Sequence, residues 1–260
     1  MAAHVLAYHD VHSGGSLELN AGTITARRFR SHCAALAERG WHAVALRNAL
    51  LGTHDDQVVL TVDDGYESVL TTIIPETARY GWTGTAFVTT GALGARSQWD
   101  VGSLRAPRHL DLAALRDVVS AGWEIGSHAV THRALTDISA REAREELRTS
   151  REQLSDWLGA DVTSISYPFG AVNAEIAALA REAGYTRGVT MRPGPVSPQA
   201  DPLGVRRWPV YFMDGPVSLI VRLEGPPWAR WLERLKSSTV HSFAHGSRVA
   251  MRGARRIIQG

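Results

Sequence analysis

Lysine and cysteine are nearly absent from this 260-residue chain: Lys236 is the one lysine among 28 basic residues, and Cys33 is the one cysteine. A lone cysteine excludes an intrachain disulfide and says nothing about the redox state of the compartment. It stands in HCAALAERG, on the apolar side of a predicted helix, where a buried and inert thiol is expected. The arginine bias is read as genomic composition rather than function. No apolar run approaches the ~18 residues of a membrane-spanning helix. The start, MAAHVLAYHD, lacks a basic stretch followed by a long apolar core, so no signal peptide is expected and a cytoplasmic protein is. A formal net charge of +2 is too small to imply a nucleic-acid partner.

What is present is an ordinary globular composition, 44% hydrophobic and 21% charged. Short apolar, β-branched runs alternate with stretches of helical periodicity. Strands are predicted at His4–Tyr8, Trp41–Leu46, Val58–Val62, Thr85–Thr89, Gly122–Gly126, Ser164–Tyr167, Arg187–Thr190 and Val205–Tyr211. Thr25, Ser139 and Asn173 stand where caps are expected for helices reaching Arg39, Leu158 and Ala183. The Arg and Glu residues of the 139–158 helix read as a solvated face. Alternation of this kind argues an α/β fold with a parallel sheet, as a closed barrel or an open doubly wound sheet. Either way function gathers at the C-terminal ends of the strands, and there the chain places His9, Asp63-Asp64, His128 and Phe169.

Asp63-Asp64-Gly65 alone reads as an Asx turn. Two adjacent carboxylates are nonetheless costly without a cation between them. His128-Ala129-Val130-Thr131-His132 supplies two imidazoles four residues apart, able to share one metal if the segment turns helically. Two His and one carboxylate leave open positions for water and substrate, and the second carboxylate is then available as a general base.

Together these stretches resemble the polysaccharide deacetylase family, also called the NodB-homology or carbohydrate esterase 4 family. LTVDDGYES is similar to its TFDDG motif, SHAVTH to H-S/T-x-x-H, and SYPFG to R-x-P-Y/F-G. The resemblance spans roughly residues 4 to 212 and implies a single-domain, distorted (β/α)7-type barrel of mostly parallel strands. It implies a catalytic domain over residues 1–225, followed by a helical, basic extension over 226–260. It further implies a divalent metal, usually zinc and sometimes cobalt or nickel, held by Asp64, His128 and His132. Asp63 would be the general base for water activated there. Pro168, Phe169 and Gly170 would border the acetyl pocket. The implied substrate is an acetylated sugar or glycan, N-acetyl before O-acetyl; a non-sugar amide or imide hydrolase and a non-catalytic carbohydrate-binding relative are the alternatives.

The sequence departs from the family pattern twice. Ser166 replaces the arginine of the third motif, and Arg207, or else Arg206, is expected to supply the guanidinium that orients Asp63. The late Leu-x-His motif is missing, while LAYHD matches a subgroup that opens on L-x-Y-H-D, which gives His9 the role of general acid. His241 and His245 lie beyond the expected last strand. His12, His32, His42, His54 and His109 are read as surface or helix-face residues. Trp99 and Tyr66 are candidate substrate contacts by position. Residues 247–258 combine Arg248, Arg252, Arg255 and Arg256 with apolar residues, the composition of a weak membrane-surface contact at the inner membrane face. The sequence does not reveal the oligomeric state.

Overall fold

All five residues of the first strand, His4–Tyr8 (β1), are buried, so its two faces are both covered and no polar alternation shows in its sequence. The structure, a computed structural model, describes residues 3–14, 20–48, 56–99, 106–197 and 199–244. Asp10–His12 (β2) and Thr23–Thr25 (β3) form a small parallel pair beside the main sheet. Ala26–Glu38 (α1), capped by Thr25, leads to His42–Val44 (β4) and Gln57–Val62 (β5). After a π-helical turn over Val69–Ile73 come Ile74–Ala78 (α2), Thr85–Val88 (β6), Leu112–Ser120 (α3) and Glu124–Ser127 (β7). Ala140–Leu158 (α4), Ser164–Ser166 (β8), Ala174–Glu182 (α5) and Arg187–Val189 (β9) complete the alternation. Trp208–Pro209 (β10), Pro216–Glu224 (α6) and Pro227–Ala244 (α7) end the described chain.

The main sheet runs β10-β1-β5-β6-β7-β8-β9, all parallel, with β4 also on β5. The predicted last strand over 205–211 shrinks to two paired residues, because this stretch serves both sheet edges in turn. Val205 bridges Val189 beside β9, and Trp208 pairs with Leu6 of β1. The curled sheet is thereby drawn toward a distorted barrel. Val5, Val59, Phe87, Val189 and Val205 pack together as one apolar cluster. Their neighbours Leu6, Leu60, Ala86 and Ile125 belong to another with Phe29 of α1 and Leu115 of α3, as the two-residue period of a strand requires.

All three predicted caps form. Ser139 and Glu142 make a reciprocal capping box at α4, Asn173 accepts from Ile176 N, and Gly159 ends α4 in the left-handed conformation. On α4, Arg148 pairs with Glu145 and Glu152 at the surface. Cys33 is buried, and burial pushes its thiol up to about 12. No helix among the described residues is long and apolar enough to cross a membrane. The basic stretch over 247–258, His245 and His54 lie outside the described residues.

Several histidines depart from the surface reading. His42 is exposed, but His12, His32 and His109 are buried. His32 turns inward because Tyr8 Oη and the Asp214 carbonyl offer its ring partners at 3.2 and 2.9 Å. Burial pushes both His4 and His32 down to about 4. The unfolded chain, with histidines near 6.5, therefore binds more protons than the native chain between these values, so stability falls as pH drops. With a chelator present to remove metal effects, the urea midpoint should be constant above about pH 7 and decline steadily between about 6.5 and 4.

Candidate active site

Backbone pairing at the strand ends brings the polar residues together. Asp63 N donates to Tyr8 O at 2.9 Å and His128 N to Val88 O at 2.8 Å, so the tips of β1, β5, β6 and β7 remain in register past the last strand residue. The chain then bends sharply. Of the five non-glycine residues with positive φ among the described residues, four lie here: Asp64 (71°), Ala129 (61°), His132 (56°) and Phe169 (59°). Such conformations cost of order 1–3 kcal/mol each for residues with a Cβ and persist only where their surroundings impose them. The left-handed turn at Asp64 separates its direction from that of Asp63. The HAVTH segment is therefore not the helical turn considered from its spacing. Left-handed residues at Ala129 and His132 bring the two imidazole rings to 5.0 Å between centroids.

Asp63 is buried against Arg207, itself fully buried. The guanidinium grips the carboxylate bidentately, Nη1 to Oδ1 at 2.7 Å and Nη2 to Oδ2 at 2.6 Å. It also donates to Thr190 O, Thr61 Oγ1 and Ser166 Oγ, while Ser166 donates to Asp63 Oδ2 at 3.1 Å. Arg206 is exposed and reaches the Pro193 carbonyl instead. Burial by itself would raise the Asp63 pKa, but the charge and hydrogen bonds of Arg207 outweigh it and hold the carboxyl below its usual range.

Asp64, His128 and His132 each offer a donor atom, and the three lie within 4.8 Å of one another. Asp64 Oδ1 is 3.5 Å from His128 Nε2 and 3.2 Å from His132 Nε2. It is buried without an aligned hydrogen bond to either. His128 Nδ1 is 2.7 Å from the Ser166 carbonyl, which fixes the ring and leaves Nε2 as its lone-pair donor. Burial pushes His128 down to about 4, so the ring is neutral at neutral pH, as a metal ligand must be. Three converging donors, one of them an orphaned buried oxygen, fit a divalent cation with open positions.

The cavity above these groups is walled by His9, Tyr66, Trp99, Phe169, Met191, Tyr211 and His241. His9 is packed by Gly22, whose missing side chain would come within 3.3 Å of His9 Nδ1. Trp99 stacks flat on His132, ring centroids 4.3 Å apart, and so supports that ring as well as facing the cavity. Tyr66 packs on His109. Phe169 meets His132 at 4.8 Å, but Pro168 and Gly170 are not among the walls. They shape the turn instead: Gly170 has φ 63°, and a Cβ on it would collide with the Met191 backbone.

A family model described as Polysaccharide deacetylase matches residues 51–188, more than half of the chain. The chain belongs to the polysaccharide deacetylase family. It is 27% identical over 199 residues to YxkH of Bacillus subtilis (strain 168), which carries a polysaccharide deacetylase name. That match covers 74% of this chain and 66% of the relative, just under two thirds of its length. Among solved structures, the Streptococcus pyogenes deacetylase PplD in complex with acetate superposes with a TM-score of 0.72 at 22% identity, covering 86% of this chain and 99% of that one. A de-N-acetylase from Aggregatibacter actinomycetemcomitans gives 0.70 at 18% identity, covering 84% and 99%. At these identities the structures attest the shared fold.

Three participants in this site escape the sequence patterns. Glu146, one of the charged residues of α4, is buried and accepts from Val130 N at 2.8 Å and Thr131 N at 3.0 Å, and from the Thr131 hydroxyl. It clamps the HAVTH loop from below, while Gly91 N holds Val130 O at 2.9 Å. His109 fixes the turn by placing Nδ1 2.8 Å from the Asp64 carbonyl. His241 arrives on α7, far along the chain. Beforehand Glu146 was only one of the many charged residues of the 139–158 helix, a pattern that carries no hint of the clamp.

Replacing Glu146 with Ala strands two backbone N–H groups, and divalent-metal affinity should fall about 10–100-fold in equilibrium titrations. Unchanged affinity would show that the loop holds its shape without the clamp. Arg207→Met leaves a buried, unpaired carboxylate and should lower urea stability by about 3–5 kcal/mol. Adding Asp63→Asn to Arg207→Met should recover part of that loss, because the stranded charge is removed.

Proposed function

We propose that the protein is a metal-dependent hydrolase that removes an acetyl group from a carbohydrate, N-linked in preference to O-linked. One observation carries the reading: an ionised Asp63, fixed by Arg207, lies beside a separate three-donor cluster of Asp64, His128 and His132 in one cavity. A module that only bound sugar would need no such division between two adjacent carboxylates. The family match, and the deacetylase names of its relatives, support the same reading.

Asp64, His128 and His132 would hold the cation, zinc in the first instance, which when bound polarises the acetyl carbonyl and acidifies water enough for a weak base such as Asp63. Asp63 takes the proton from the attacking water, and Arg207 holds its oxygens in place throughout. Phe169 and Trp99 offer an apolar wall for the acetyl methyl, with Tyr66 beside them. His9 delivers a proton to the departing nitrogen. An amine cannot leave from the tetrahedral intermediate without that proton, whereas a sugar oxygen depends on it less, which is why a histidine on the cavity wall favours the N-acetyl substrate.

Acetate release from N-acetylglucosamine oligomers tests the assignment, with metal content measured on the same samples. Asp63→Asn should retain metal and lose roughly 10²–10⁴-fold in kcat. His132→Ala should lose metal and activity together. His9→Ala should impair N-acetyl substrates far more than an aryl acetate, whose leaving group needs no protonation. Activity within about tenfold of wild type in Asp63→Asn would remove the base role. Stoichiometric metal without acetate release by wild type would point to a different amide.

A further inference from the structure

Helix α7 turns its charges inward and its apolar residues outward. Ser237 is fully buried, Glu233 accepts from Arg222 Nε at 2.8 Å, and Lys236 Nζ pairs with Asp214 Oδ1 at 2.8 Å and with Glu233 at 2.9 Å. His241, further along, reaches the catalytic cavity. The opposite face carries Trp228, Trp231, Leu232 and Leu235, exposed by 67, 56, 51 and 46%. Their spacing of i, i+3, i+4 and i+7 puts them on one stripe. Half of the large apolar side chains exposed among the described residues stand on this single helix face.

A stripe of this kind needs a cover, and two observations choose among covers. The four side chains expose on the order of 400 Å², about half of the ~800 Å² per partner that a stable protein interface buries. The sequence that follows α7, residues 245–260, holds Arg248, Arg252, Arg255 and Arg256 and no Asp or Glu. Two copies would carry like-charged segments, whereas an anionic bilayer attracts that charge. Tryptophan is also the side chain that best occupies the boundary between headgroups and acyl chains.

We propose that the Trp228–Leu235 face of α7 docks on an anionic membrane surface, lying in the plane of the interface rather than crossing it. Four partly inserted side chains and a cationic segment give a reversible attachment that salt weakens. Because the inner side of the same helix reaches the cavity at His241, docking holds the catalytic pocket beside the bilayer.

Flotation of the full chain with vesicles tests this without reference to catalysis. The chain should float with phosphatidylcholine vesicles carrying about a third phosphatidylglycerol and far less with phosphatidylcholine alone. Raising salt to about 0.5 M should release it. Trp228→Ser combined with Trp231→Ser should cut the bound fraction about tenfold while leaving the thermal midpoint unchanged, since both side chains are exposed. Arg248, Arg252, Arg255 and Arg256 replaced by Ser should weaken anionic binding specifically. Absence of binding, equal binding to neutral vesicles, or binding indifferent to the tryptophan pair overturns the proposal. So does a concentration-dependent dimer that the tryptophan substitutions dissolve, which would make a second copy the cover.

Discussion

The bidentate pair between Arg207 and Asp63 is the interaction on which the site depends. Burying two opposite charges costs several kcal/mol per ion, and their attraction repays this only if the remaining donors are satisfied. Here the guanidinium finds Thr190, Thr61 and Ser166 besides the carboxylate, so one side chain ties β5, β8, the end of β9 and the closing stretch before β10. An apolar cluster of the same volume would close such a barrel as well, since replacing buried ion pairs with packed hydrophobic residues is often neutral or stabilising. The pair is therefore better understood through Asp63: a carboxylate kept ionised and immobile where burial alone would protonate it.

That constraint explains the concentration of backbone strain. Adjacent carboxylates on a straight strand would point to opposite faces of the sheet, one into the helix layer. The left-handed turn at Asp64 instead leaves Asp63 with Arg207 and delivers Asp64 to the two imidazoles. The same device, repeated at Ala129, His132 and Phe169, lets three loops from different strands converge on one point. Two of these strained loops are held by polar contacts from outside them: Asp64 by His109, the histidine loop by Glu146 and Gly91. Preorganisation of this sort is what fixed donors around developing charge require.

Helix α7 joins this arrangement from the far end of the chain. Its ion pairs to Asp214 and Arg222 do the fastening that an apolar face does in most helices. Asp214 in turn accepts from Tyr211 N, and its carbonyl meets His32, so the helix is anchored to the body through the segment that follows β10. The cavity wall at His241 thus belongs to an element whose own packing is electrostatic.

The alternation of elements, the strand tips bearing His9, Asp63-Asp64, His128 and Phe169, and the caps at Thr25, Ser139 and Asn173 were legible in the amino-acid sequence. They rest on local rules: period-two and helical patterning, and the hydrogen-bonding habits of Ser, Thr and Asn at helix starts. The absence of arginine before Tyr167 was legible too, and pointed to a substitute near Val205. Which of two adjacent arginines it is depends on facing, and facing is set by how the closing stretch lies between β9 and β1. Glu146, His109 and His241 were invisible for the same reason. A charged residue on a charged helix, a histidine in a loop and a histidine in a late segment look like solvated groups until packing brings them to the site. Sequence alone decided which chemistry was available; tertiary structure decided which side chains share a buried space, because contacts between residues distant in the chain leave no mark on local pattern.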